Sequence, residues 1–411
     1  MNMQQHCDVI VIGAGPSGAC AAKMLAEQGL KVVVIEKELF PRFSIGESLL
    51  PQCMSFLEQA GLKKAVDAAG FQHKNGAAFL KQGQYSEYSF AEKFTEGPAT
   101  TFQVKRSEFD KILADQAAIA GADIRYQQQV LDIEHHVDNV TLTINDLNSD
   151  EQYALSAKFI MDASGFGRVL PRLLDLEIPS QFPVRQAVFS HIKDHLPSSF
   201  DRNKILIIVH PEEPDIWFWL IPFSDGTSSL GVVAEEKHFN KLGSLNNEAL
   251  LWHFVNQTED LASLISQATV TTPVRKLVGY SANVNALYGD RFVLLGNAGE
   301  FLDPVFSSGV TIALKSAILA APLVAKQLNG GAVNWETEFS QPLRLGITTF
   351  KHFVISWYNK QLQDIIFYQT SQSEVKRMIC SILAGYAWDQ KNPYVQEDDR
   401  RLKVLAEICA Q

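Results

Sequence analysis

Apolar positions in this chain fall into short runs of two kinds, and the glycines that close some of them divide the chain. Residues 7–12 (CDVIVI) form a β-branched run with a single acidic interruption, the pattern of a strand buried on both faces. Glycines follow at Gly13, Gly15 and Gly18. An alanine-rich stretch of helical character then runs to Gln28, and after Gly29 a second run, KVVVI, fills residues 31–35. This predicts a strand–turn–helix–strand unit of about 30 residues, the length a βαβ unit needs. Two later runs end on glycine in the same way. Residues 159–161 precede Asp162-Ala163-Ser164-Gly165, and residues 292–295 precede Gly296-Asn297-Ala298-Gly299. Strand–glycine junctions so far apart predict one nucleotide-binding domain interrupted by insertions.

The intervening runs alternate. KILIIV (Lys204–Val209), WFWLIP (Trp217–Pro222) and SLGVVA (residues 229–234) predict an antiparallel sheet. Alternation along WFWLIP places Trp217 and Trp219 on one face and Phe218 on the other. The longest apolar segment, residues 309–328, carries Lys315, Pro322 and Lys326, so it reads as a buried helix and not as a membrane span. From about Trp335 the pattern becomes helical with polar breaks. Phe350, Phe353, Trp357, Tyr358, Phe367 and Tyr368 recur there at helical spacings. The predicted organisation is α/β, in three parts. Residues 1–72, 100–180 and 275–330 form a discontinuous Rossmann-type domain. Residues 73–99 and 181–274 form a mainly antiparallel-sheet substrate domain, and residues 331–411 a helical C-terminal region.

Composition narrows the function. The chain has 411 residues, 46% hydrophobic and 20% charged, with a net charge of −10. That suits a large soluble core and gives no electrostatic footprint for nucleic acid. A local basic patch for an acidic carrier domain stays open. The five cysteines lack CxxC or metal-ligand spacing, which points to buried thiols of a reducing, cytoplasmic compartment and to no metal. The N-terminus has no basic region or cleavage site of a secretory signal.

GAGPSG (Gly13 to Gly18) fits GxGxxG in a strand–turn–helix context. The first glycine permits the turn, the second lets backbone approach a pyrophosphate, and the third lets helix and strand pack. Pro16 and Ser17 open the helix, whose N-terminus suits phosphate. Glu36, at the end of the second strand and followed by Lys37, is placed to accept from an adenosine ribose. The DASG and GNAGEFLDP segments favour FAD over NAD, because a long flavin needs a second set of backbone contacts. The chain resembles the FAD-dependent monooxygenase-like superfamily. Its late motif is usually GDA; here Asn297 keeps an acceptor for a ribityl hydroxyl and loses the charge. The resemblance carries cofactor contacts to Arg42, Ser48, Arg106, Val130, Asp162, Gly296, Gly309 and Val310. A structural salt bridge is the competing role for Arg42 and Arg106.

PRFSIGESLLP (residues 41–51) and WFWLIP sharpen this. With Trp217, Trp219, Ile221 and Pro222 filling WxWxIP, and Phe301, Pro304, Ser307 and Gly309 filling FxxPxxSxG, the chain resembles the flavin-dependent halogenases. In look it is nearest those of carrier-bound pyrroles. That resemblance implies FADH2 from a separate flavin reductase, oxygen and a chloride or bromide ion. Hypohalous acid would form and pass to a lysine beside an aromatic ring. It implies Lys74, in HKNGAAF, as the catalytic lysine, with Lys81 as rival, and a halide site at the Ser308 and Gly309 N–H groups. The competing reading there is a plain helix cap from Ser307 or Ser308. The tryptophans become a wall between flavin and substrate. Phe306 stands where the halogenases of free tryptophan have a glutamate, which favours an electron-rich pyrrolyl or phenolic ring instead. Trp357 and Tyr358 read as core or as ring contacts, and His73 as a surface group or a proton acceptor. An aromatic hydroxylase on the same scaffold and an alkene reductase remain the alternatives.

Overall fold

The computed structural model describes residues 5–180, 182–368, 373–396 and 398–409. Its first sheet is built on Gln5–Ile12, flanked in parallel by Val32–Ile35 and by Gln152–Asp162. Phe292–Leu294 continues the parallel array beyond Gln152–Asp162, and Asp123–Arg125 extends it beyond Val32–Ile35. All four residues of Val32–Ile35 are buried, the pattern of a strand covered on both faces. An antiparallel meander, Gln128–His135 and Val140–Asp146, pairs onto the far end of Gln152–Asp162.

The helix Pro16–Ala26 packs against this sheet and against Ser308–Leu328. The latter is long and apolar enough to cross a membrane, but it runs through the core, with two-thirds of its most apolar window buried inside the protein. Its interior Pro322 faces outward, and the half-buried Lys315 lies over the rings of Phe56 and Trp388.

The second sheet runs Arg185–Lys193, Thr227–Glu235, Trp217–Pro222, Lys204–Val209, Gly76–Lys81 and Gln84–Ser89, each hydrogen-bonded to the next. Its links are antiparallel except Lys204–Val209 with Gly76–Lys81. The sheet separates two apolar cores. Trp217, Trp219 and Ile221 face the large core shared with the first sheet, while Phe218 and Leu220 face a smaller one under the helices of residues 236–264. The period-2 alternation of WFWLIP is therefore realised with all six residues buried. The helices Gln341–Tyr358, Gln361–Phe367, Ser373–Leu383 and Arg400–Cys409 close the molecule over the edge strand Gln84–Ser89. Ser86 Oγ donates to the Ile366 carbonyl, and Cys380 Sγ to that of Ser89.

Candidate functional site

A groove of about 520 Å³ opens along the C-terminal ends of the parallel strands, where the two sheets meet, the usual ligand position in an open α/β sheet. The glycine turn forms its base. Gly13 adopts φ +95°, and a Cβ there would lie 2.6 Å from the Ala163 carbonyl oxygen. A Cβ on Gly18 would lie 1.9 Å from the Gly13 oxygen, so this position packs helix on strand and does not line the groove. Gly15 is the reverse case. Its Cβ would meet only the Arg42 Nη2 at 3.6 Å, and the helix it starts has no side-chain cap. Uncapped N–H groups thus face the groove across a backbone that only the Arg42 guanidinium approaches.

Glu36 is held at the groove edge. One carboxylate oxygen accepts from the Ala14 N–H at 2.8 Å and the other from Glu38 N–H at 2.8 Å. Lys37, Ser48, Val130, Asn297, Gly309 and Val310 also line the groove. For Arg42 and Arg106 the salt-bridge role is realised, at a place beside the groove. They line the groove, and both bond the buried Asp110, at 2.9 Å from Arg42 and 2.7 and 2.8 Å from Arg106. The carboxylate fixes the two guanidinium groups. Asp162 sits behind the wall. It is fully buried and accepts from the Ser164 and Leu170 N–H groups, which shapes the DASG turn. Gly296 likewise supports Asn297 from behind; its φ is +53° and its N–H donates to Ser316 Oγ. A glycine-lined groove with an uncapped helix start, a carboxylate edge and two anchored arginines fits a dinucleotide such as FAD.

The indoles of Trp217 and Trp219 form the wall of the groove on the side of the second sheet. Their rings lie 5.9 Å apart. Trp219 Nε1 donates to Ser229 Oγ at 3.0 Å, and Trp217 Nε1 to Tyr358 Oη at 2.9 Å. Gly231, paired with Trp219, makes room for the first of these rings: a Cβ there would lie 2.2 Å from it.

Opposite, the FLDPVFSSG segment turns into its long helix. Ser307 takes the left-handed conformation (φ +56°, ψ +25°) at the N-cap position, and its side chain makes no capping bond. The capping reading of this serine is therefore not realised. The first N–H groups of the helix are left open beside Ser307, Gly309 and Val310, which line the groove; Ser308 itself is buried.

Lys74 lies one side chain behind the groove. Strand pairing with Thr101 fixes it, and it is 1% exposed. Its Nζ donates to Ser48 Oγ at 2.7 Å and to the Leu49 carbonyl at 2.9 Å, and the Phe90 ring lies 5.4 Å away. Burial lowers its pKa to about 7, opposed only in part by the Cys53 thiol. Lys81 is instead tied to Gln363 Oε1 at 3.2 Å at the sheet edge. His73 points to solvent.

Phe306 is buried edge-on against Phe353 and Trp357, and Trp357 also touches Phe79. Trp357 and Tyr358 thus belong to the packing around the site and do not line the groove. Two further acids were not singled out from the sequence. Glu47, inside the PRFSIGESLLP motif, lines the groove and bonds His191 Nε2 at 2.8 Å. Asp303, inside FLDPVFSSG, is buried beneath the turn.

Comparison with known proteins agrees with this geometry. A family model described as FAD binding domain matches residues 6–339. The 1H-pyrrole-2-carbonyl-(peptidyl-carrier protein) chlorinase of Pseudomonas fluorescens is 29% identical over 97% of this chain and 94% of its own length. The corresponding brominase of Pseudoalteromonas luteoviolacea is 32% identical over 81% of this chain and 80% of its own. A solved structure described as a flavoprotein/dehydrogenase from Cytophaga hutchinsonii superposes with a TM-score of 0.93 at 41% identity, covering 99% of both chains.

Proposed function

The chain belongs to the flavin-dependent halogenases, within the FAD-binding-domain flavoproteins, and from that premise we propose that it halogenates an electron-rich pyrrolyl or phenolic ring carried by a carrier protein, with Lys74 handling the oxidant. Bound FAD, reduced by a separate reductase, supplies with oxygen the two-electron oxidation of halide to hypohalous acid. Everything else falls to the residues of this chain.

The open N–H groups at Ser308 and Gly309 receive the halide, because a helix start without a side-chain cap favours an anion. Trp217 and Trp219 hold one side of the groove closed to a ring-sized molecule. The observation that carries the reading is Lys74, buried, bonded through Ser48 to the groove, and with a pKa of about 7. Near neutral pH its amine is available both neutral and protonated. The neutral Nζ attacks the halogen of hypohalous acid. The N–X bond forms as the O–X bond breaks, and the departing hydroxide takes an Nζ proton and leaves as water. The aromatic ring then takes the halogen. The N–X electron pair returns to nitrogen, which takes up a proton as the ring loses one. Phe306 offers no base for that last step, which supports a ring rich enough in electrons to need none. The pyrrole-2-carbonyl substrates named for the two relatives are of this kind.

The test is reconstitution with a flavin reductase, NADH, oxygen and bromide. The expected result is bromination of monochlorodimedone or a phenol that Lys74→Ala abolishes while FAD remains bound. Bromide-independent hydroxylation of the ring, untouched by Lys74→Ala, would overturn the proposal in favour of a monooxygenase.

A further inference from the structure

Asp303 lies between the two structures that the proposed function uses on either side of the groove. It is 2% exposed. Its Oδ1 accepts from the Val305 N–H at 3.1 Å, which closes the short turn Pro304–Phe306 and delivers Ser307 into its left-handed conformation. Its Oδ2 accepts from Tyr358 Oη at 2.9 Å and from Tyr280 Oη at 3.3 Å. Tyr358 Oη in turn accepts from Trp217 Nε1 at 2.9 Å.

The direction of this chain of bonds is locked. An indole N–H only donates. The single phenolic proton of Tyr358 must therefore be passed on to Asp303, and both carboxylate oxygens of Asp303 act as acceptors. The Arg185 guanidinium, itself buried, lies 3.4 Å over the face of the Tyr358 ring and supplies positive charge next to this carboxylate. With Asp303 ionised, the row indole–phenol–carboxylate–turn has one arrangement of protons; burial raises the pKa of this carboxyl, and the Arg185 charge and the hydrogen bonds it accepts oppose that rise. Moving either end disturbs the acceptor that both share.

We propose that Asp303 is a positioning residue that couples the Trp217 wall to the Pro304–Gly309 turn, so that the halide site and the barrier are held in one mutual geometry. The consequence for the reaction rests on the proposed assignment of that turn to halide; the coupling itself does not. An asparagine at 303 shows why a carboxylate is required. Its one acceptor oxygen can serve the Val305 N–H or the tyrosines. If it serves the tyrosines, the amide N–H₂ faces the Val305 N–H, an obligate donor; if it serves Val305, the amide N–H₂ meets the phenol oxygens and the bond to Tyr358 is reversed.

The test uses the FAD-loaded protein with Tyr358→Phe and Tyr280→Phe, each of which removes one donor to Oδ2 without touching the turn. Two quantities are read. One is amide hydrogen exchange at residues 305–310; the other is the Trp217 indole N–H resonance, assigned by its loss in Trp217→Phe. Tyr358→Phe is expected to shift the indole resonance and to speed exchange in the turn about tenfold. Tyr280→Phe is expected to speed exchange in the turn and leave the indole in place. Asp303→Asn, where it folds and holds FAD, is expected to raise the KM for bromide about tenfold while kcat stays within about twofold. A Tyr358→Phe protein whose indole shifts while the turn exchanges as in the wild type would overturn the coupling, whether or not the protein halogenates. Faster exchange with an unchanged bromide KM would leave the coupling in place and remove the halide from the turn.

Discussion

Replacing Lys74 by methionine keeps an unbranched side chain, one atom shorter, and removes its charge. The stability difference between wild type and this variant should depend on pH in a way no surface lysine would produce. The native amine titrates near 7 because burial disfavours its charged form. In the unfolded chain it returns to its ordinary value near 10.5. A lysine lowered in this way costs stability, and the cost is fully present below the native pKa and gone above the unfolded one. Between pH 7 and 9 the unfolded state keeps its proton while the native state goes from about half to almost none. The unfolded state therefore binds more protons, and wild-type stability rises with pH. Over that interval the wild type should gain about 2 kcal/mol on Lys74→Met. Urea unfolding of both proteins at pH 7 and pH 9, saturated with FAD so that the ligand contribution cancels, measures it. A difference that stays constant to within about 0.5 kcal/mol would refute the reasoning. It would mean that Nζ is charged throughout, and the neutral nucleophile assigned to Lys74 would not exist at working pH.

Other consequences follow from close approaches and buried charge. Gly231→Ala would put a Cβ 2.2 Å from the Trp219 ring; it should lower stability by about 1–3 kcal/mol, seen as a drop in Tm. Gly18→Ala drives a methyl into backbone, 1.9 Å from the Gly13 oxygen, so the purified protein should lose its flavin absorbance. Asp110→Asn leaves Arg42 and Arg106 without the buried carboxylate they share; a loss of about 3–5 kcal/mol should appear in the urea midpoint.

The parts legible in the sequence are those where local pattern and tertiary role agree. CDVIVI, KVVVI and the glycines between them declare a parallel strand, a turn and a packed helix, because each requirement is local. The alternation of WFWLIP announced two faces, and both are realised, since a strand buried on two sides keeps its period. What pattern could not give is the closure of the site by residues far apart in sequence. Glu47 meets His191 across 144 positions, and Tyr358 reaches Asp303 across 55. Both acids stood in plain view, inside quoted motifs. Their partners lie on strands or helices that periodicity alone assigns to core. Asp162 shows the opposite case. Its position before a glycine turn suggested cofactor contact, yet the structure spends both of its oxygens on shaping the turn. Burial of Lys74 was likewise invisible, because HKNGAAF reads as a polar loop until Thr101 pairs with it.

The central claim is that bromide oxidised in the flavin groove reaches an aromatic ring through Lys74. Intact-protein mass spectrometry tests it most directly, on a carrier protein loaded with a pyrrole-2-carbonyl group and incubated with the enzyme, reductase, NADH, oxygen and bromide. The account predicts the paired isotope pattern of bromine on the carrier with wild type, and an unmodified carrier with Lys74→Ala at equal FAD content. Bromine transferred equally by Lys74→Ala, or oxygen in place of bromine with the wild type, would contradict it.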